Sequence, residues 1–102
     1  MGINVCWQDE RGDRKQCVDD PYMLFSRMIR SEEAAETVIL KYIDAYGDMT
    51  FNQLQIPDLL MELKHARGWS LSKDTLDHLE RVIGLIVLSS GEIHTDIKFS
   101  GD

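Results

Sequence analysis

The stretch "SEEAAETVILKYIDAYGD", residues 31–48, decides the fold, because it reads either as one helix or as a strand followed by a turn. Ser31 before Glu32 and Glu33 has the form of a helix start and Gly47 that of a helix stop, which would give a helix over residues 32–46. Thr37, Val38 and Ile39, followed by Leu40, Tyr42 and Ile43, argue the other way, since a β-branched and aromatic run suits a pleated surface better. The pattern predicts a strand over residues 37–44. Residues 44–48 then form a hairpin connection, and 49–52 the returning strand, with Met49 and Phe51 on one face.

Working outward toward the N-terminus, Ile3, Val5 and Trp7 alternate with Asn4, Cys6 and Gln8, the period-2 pattern of a half-buried strand. Residues 10–13, "ERGD", supply a turn with glycine where positive φ is cheap. With Arg11 and Gly12 as a two-residue loop, Glu10 pairs with Asp13, Trp7 with Gln16 and Cys6 with Cys17, and Val18 joins Val5 on the core face. Facing cysteines are close enough to bridge, but an intracellular setting keeps thiols reduced, so two free thiols are expected. Asp20 and Pro21 have the form of an N-cap and first helical residue for a short helix carrying Leu24, Phe25 and Met28.

Working outward toward the C-terminus, Ile56 and Pro57 open a helix with an apolar stripe of Ile56, Leu59, Leu60 and Leu63, ended by Gly68. Ser70 or Ser72 caps the next helix, where Leu76, Leu79, Ile83, Ile86 and Val87 recur three and four apart and Gly91 is the C-terminal stop. Its last turns, "VIGLIVL", are apolar nearly all round and are expected to be covered on more than one side. Finally, Ile93, Thr95, Ile97 and Phe99 alternate with His94, Asp96 and Lys98, a closing strand. The expected fold is α+β, one domain over residues 1–102, in the order ββαββααβ. An antiparallel sheet of about five strands carries helices on one face.

The segment "YIDAYGDMTFNQLQIPDLLMEL" with the ending "GEIHTDIKFSGD" resembles a group of small bacterial proteins that carry a DxYGDxxFNxLQ-type segment and a GEVHTYxKFxGD-like C-terminus. Such relatives have Asp-Pro-Tyr-Gly-Asp where this chain has Asp44-Ala45-Tyr46-Gly47-Asp48. A proline there implies strand and turn over helix. The resemblance brings with it no catalytic residue.

Acids outnumber bases, 18 to 11, for a formal net charge of -7. That surplus repels phosphate backbones and no basic run offers an exception, so nucleic acid is not an expected ligand. No basic n-region precedes an apolar segment, and nowhere do about 18 uncharged apolar residues run together, so the reading is a soluble, cytoplasmic chain without membrane contact.

Asp44 and Asp48 stand four apart across a turn and are candidate cation ligands or an acid–base pair, but a calcium loop needs more oxygens at set positions. Aspartates beside glycine are also ordinary turn chemistry. The loop is therefore a connection first and a recognition surface second, with Asp44, Tyr46, Asp48 and Asn52 the candidate partner-binding residues and Tyr46 the anchor. His94 and Asp96 share a strand face and form an alternative acid–base site. His65, His78 and His94 have no metal-ligand spacing, no serine sits in a nucleophile elbow, and there is no glycine-rich phosphate loop, so neither metal nor cofactor is expected. The leading expectation is a non-enzymatic interaction domain that binds a basic protein, for example as an immunity or inhibitor protein. The alternatives are a small enzyme or small-molecule binder using the acidic and histidine side chains, and a self-associating structural subunit.

Overall fold

A computed structural model of the chain describes residues 2–101. Its first hairpin follows from the alternation at the N-terminus: β1 (Asn4–Asp9) pairs antiparallel with β2 (Arg14–Val18), setting Val5 opposite Val18, Cys6 opposite Cys17 and Trp7 opposite Gln16. The expected register holds to Trp7 and then shifts, so that Gln8 faces Arg14. The turn is wider than a two-residue loop. The Asp9 amide donates to the Asp13 carbonyl, the Gly12 amide to the Asp9 carbonyl, and Asp9 Oδ1 accepts from the Arg11 and Asp13 amides. Gly12 has φ 85°, the left-handed geometry expected of it. Cys6 and Cys17 are bonded to each other as a disulfide, which corrects the expectation of free thiols.

The second difference is at residues 37–44, which form no strand. A short helix α2 (Glu32–Ala35), capped by Ser31 through its Ala34 amide, gives way to bends and a 3-10 turn at Leu40–Tyr42. The cause lies 22 to 24 residues away: the Glu62 carboxylate accepts the amides of Val38, Ile39 and Leu40 at 2.8–3.0 Å. Three successive amides turned toward one carboxylate cannot alternate as a strand's do, so β propensity is overridden. With strands at Asp48–Asn52 and Thr95–Ser100 as β3 and β4, the sheet accordingly has four strands among the described residues, in the order β2-β1-β4-β3, not about five. Here β3 and β4 pair antiparallel, and β4 also pairs with β1.

Four α-helices complete an α+β fold among the described residues: α1 (Leu24–Ile29), α2, α3 (Ile56–His65) and α4 (Lys73–Ser89). The α3 stripe is buried as expected at Ile56, Leu59 and Leu63, and Ser72 caps α4 by accepting the Thr75 amide. Helix α1 begins at Leu24, three residues later than its Asp-Pro signal suggested. Asp20 nevertheless serves that helix, because its carboxylate accepts the Phe25 and Ser26 amides as well as that of Ile3. The end of α4 is covered on one side only, since Val82, Ile83, Leu85 and Ile86 are buried while Val87 and Leu88 are exposed. Val5, Val18, Phe51, Ile97 and Phe99 of the sheet share one core with the buried residues of α1, α3 and α4. Phe99 stacks on Phe25 and meets Phe51 edge-on, at centroid separations of 5.7 and 5.5 Å, which ties α1, β4 and β3 together. No helix among the described residues is long and apolar enough to cross a membrane.

Candidate functional site

The loop before β3 is held by one turn of its own and by contacts to other elements. Asp44 Oδ1 accepts the Tyr46 amide at 2.8 Å, the Asx geometry of an ordinary turn, and its other oxygen lies against Gly47, where a Cβ would crowd it. The Tyr46 hydroxyl accepts from Arg30 at 2.8 Å, and the same guanidinium lies 5.2 Å from the ring centroid. Asp48 reaches toward Lys98 at 3.5 Å. Asn52 Oδ1 accepts the Leu54 and Gln55 amides and so organises the turn into α3. The four residues do not converge on a common point; each secures a piece of the connection.

The alternative pair also comes apart. The strand begins at Thr95, and His94 precedes it with φ 62°, so His94 does not share the alternation of Asp96. His94 Nδ1 lies 2.6 Å from Glu10 Oε1 across the β1–β2 turn, while Asp96 Oδ1 is buried without a hydrogen-bond partner. Asp48 pairs opposite Ser100 and Asp96 opposite Asn52, so the carboxylates of Asp48 and Asp96 stand at opposite ends of the β3–β4 pairing, while Asn52 is the one loop candidate beside Asp96. Among the described residues, no group of three or more His, Cys, Asp or Glu side chains is placed to hold a metal ion.

What the structure does gather is apolar surface. Val38, Tyr42, Leu54 and Met61 are 73%, 66%, 89% and 68% exposed, and they line adjoining concavities and do not stand singly. Val38 stands between two adjoining grooves. One, of about 700 Å³, runs past Met61 to Trp69, and the other, of about 300 Å³, is bounded by Tyr42, Leu54 and the β3 residues Met49 and Phe51. Glu33, Glu36 and Glu62 line the first and Asp58 the second, against Lys64 and His65 of the first. The surface adjoins β3, an edge strand. Local pattern does not reveal it, because the β-branched run places Val38 and Tyr42 in a strand; the signals that point to it are Leu54 alone among amides in "FNQLQ" and Met61 off the α3 stripe.

A second concavity lies by α1 and the N-terminal half of α4, around His78. Its imidazole is only 4% exposed, its Nε2 has no hydrogen-bond partner, and the nearest charge is Asp20 Oδ1 at 3.7 Å. Burial pushes the His78 pKa below its ordinary value; Asp20 opposes this and Arg81 adds to it.

No family model, curated protein sequence or solved structure matches this chain.

Proposed function

We propose that this chain is a non-enzymatic protein-interaction domain whose partner offers a basic amphipathic segment, laid over Val38, Tyr42, Leu54 and Met61. The observation that supports the reading is the exposure of these four side chains around two grooves that share Val38. Covering a Val, Leu or Met side chain is worth about 2 kcal/mol, so leaving several in water is unfavourable unless a partner covers them. The chemistry of the partner follows from charge. Glu33, Glu36 and Asp58 border the grooves of a chain with net charge -7, which favours apolar side chains flanked by Lys or Arg and steers them in. An inhibitor or immunity protein that neutralises a basic effector is one concrete form of this function.

Trp69 lines the larger groove and reports on it directly. In a Trp7→Phe background, an amphipathic Leu/Lys helical peptide should shift Trp69 emission to the blue and saturate. A Leu/Glu peptide of the same pattern should not. Paired substitution of Leu54→Asp and Met61→Glu should weaken binding by about tenfold or more, and added salt should weaken it further. Equal binding of the Leu/Glu peptide, or undiminished binding to the paired variant, would sink the proposal.

A further inference from the structure

The cleft around His78 shares no lining residue with the apolar grooves and carries an inference independent of them. It has a volume of about 630 Å³ and is bounded by one stripe of α4 and by the segment entering α1. The stripe is Asp74, Asp77, His78 and Arg81, recurring at three and four residues, so that helix geometry turns all of them to one side. Asp19 and Tyr22 face them, with Pro21 and Leu24 as the apolar part of the wall.

Two features distinguish this cleft from a solvated helix face. The first is the pattern of charge. Asp77 is paired with Lys73 at 3.1 Å, whereas Asp19, Asp74 and Arg81 take part in no ion pair among the described residues. At 1.5 Å rise per residue, the backbone positions of Asp74 and Arg81 are about 10 Å apart along α4, one charge of each sign two turns from the other. The second is His78, which lines the same cleft between those charges, almost fully buried and with a ring nitrogen left without a partner. That nitrogen lies 3.7 Å from Asp20 Oδ1, which does not line the cleft, so what the cleft offers a ligand is a buried polar ring between opposite charges, not the unpartnered atom itself.

We propose that this cleft binds a small organic zwitterion, its carboxylate taken by Arg81 and its ammonium by Asp19 and Asp74, with its chain lying over His78. The carboxylate–guanidinium contact can be bidentate, while the ammonium is held as a point charge. Pro21 and Leu24 cover the methylenes between the two. A ligand with its two charges well separated fits the spacing on α4 better than one with both on a single carbon.

The test uses 6-aminohexanoate as the probe, with 1,6-diaminohexane and hexanoate carrying the same methylene chain and only one kind of charge. Binding is read from the imidazole NMR signals of His78, with the exposed His65 and His94 as internal references. The expected result is a saturable shift confined to His78 with the zwitterion, about fivefold or more weaker for each single-charge analogue. Asp74→Asn and Arg81→Gln should each weaken the zwitterion by a similar factor. Equal binding of the diamine would overturn the role of Arg81 and with it the zwitterion. A shift at all three histidines, no shift at all, or full affinity in both variants would overturn the site.

Discussion

Asp20 and Glu62 each gather three backbone amides, and Asp20 does so inside the core. The residue is 2% exposed; its carboxylate takes the amides of Ile3, Phe25 and Ser26, while its own amide donates to Asn4 Oδ1. It joins the start of β1 to the start of α1. Gly2 is placed by the same junction, since a Cβ there would collide with the Asp20 backbone. Asp20→Ala strands three amides at once, two of them in the first turn of α1, and should cost roughly 4 kcal/mol in urea denaturation, with Asp20→Asn recovering part of the loss. His78 supplies a pH dependence of definite sign. Burial lowers its pKa in the folded state, so the unfolded chain binds the proton more readily. The contribution is therefore absent above the ordinary histidine value and turns destabilising as pH falls through and below it. The urea midpoint should decline from pH 7 toward pH 5, and His78→Gln should flatten that decline. An unchanged slope in the variant would assign the effect to other groups. Asp20 was legible in the sequence as a cap, but not as a cap acting across a three-residue offset, because that depends on Met23 adopting φ 59°.

At the scale of elements, two places show what local pattern can and cannot convey. The hairpin register was readable because period-2 burial and the Val5–Val18 pairing agree on one alignment, and that alignment sets Cys6 against Cys17. Whether facing cysteines bond is a matter of approach and environment, not of pattern. The disulfide closes a loop over a sequence separation of 11, and Cys17→Ser should cost about 2–3 kcal/mol on the chain-entropy argument. Native-state thiol labelling should find no free sulfhydryl; two labelled cysteines would refute the bridge. Residues 37–44 failed as a strand for the opposite reason. Their β-branched run was real, but Glu62 on α3 collects the three amides that a strand would offer to a neighbour. Glu62→Ala should destabilise by about 2 kcal/mol and loosen Val38, Ile39 and Leu40 first, as faster amide exchange at those positions. Unaltered exchange there would mean the segment is held by its apolar contacts alone.

At the scale of the whole molecule, the decisive fact is which apolar groups the fold leaves uncovered. Val38, Tyr42, Leu54 and Met61 contribute little to the core they border, so the Leu54→Asp and Met61→Glu pair should change unfolding free energy by no more than about 0.5 kcal/mol. A variant that keeps its stability and loses the peptide separates binding from folding; a large loss of stability would show that the surface is part of the core. The sequence by itself determined the α+β class, the acidic balance, the first hairpin with its register as far as Trp7, and the buried positions Ile56, Leu59 and Leu63 of α3, while it left the α4 cap open between Ser70 and Ser72. The hairpin register and the α3 stripe are encoded in the period of residues close along the chain. Only the tertiary structure decided that the sheet has four strands among the described residues, that Asp44, Tyr46, Asp48 and Asn52 each meet a different partner, and that His94 and Asp96 part company. It also decided that apolar side chains from a 3-10 turn, a loop and α3 meet on one surface. These outcomes depend on contacts such as Glu62 to Val38, which no local period records, because the residues are distant along the chain and adjacent only once it has folded.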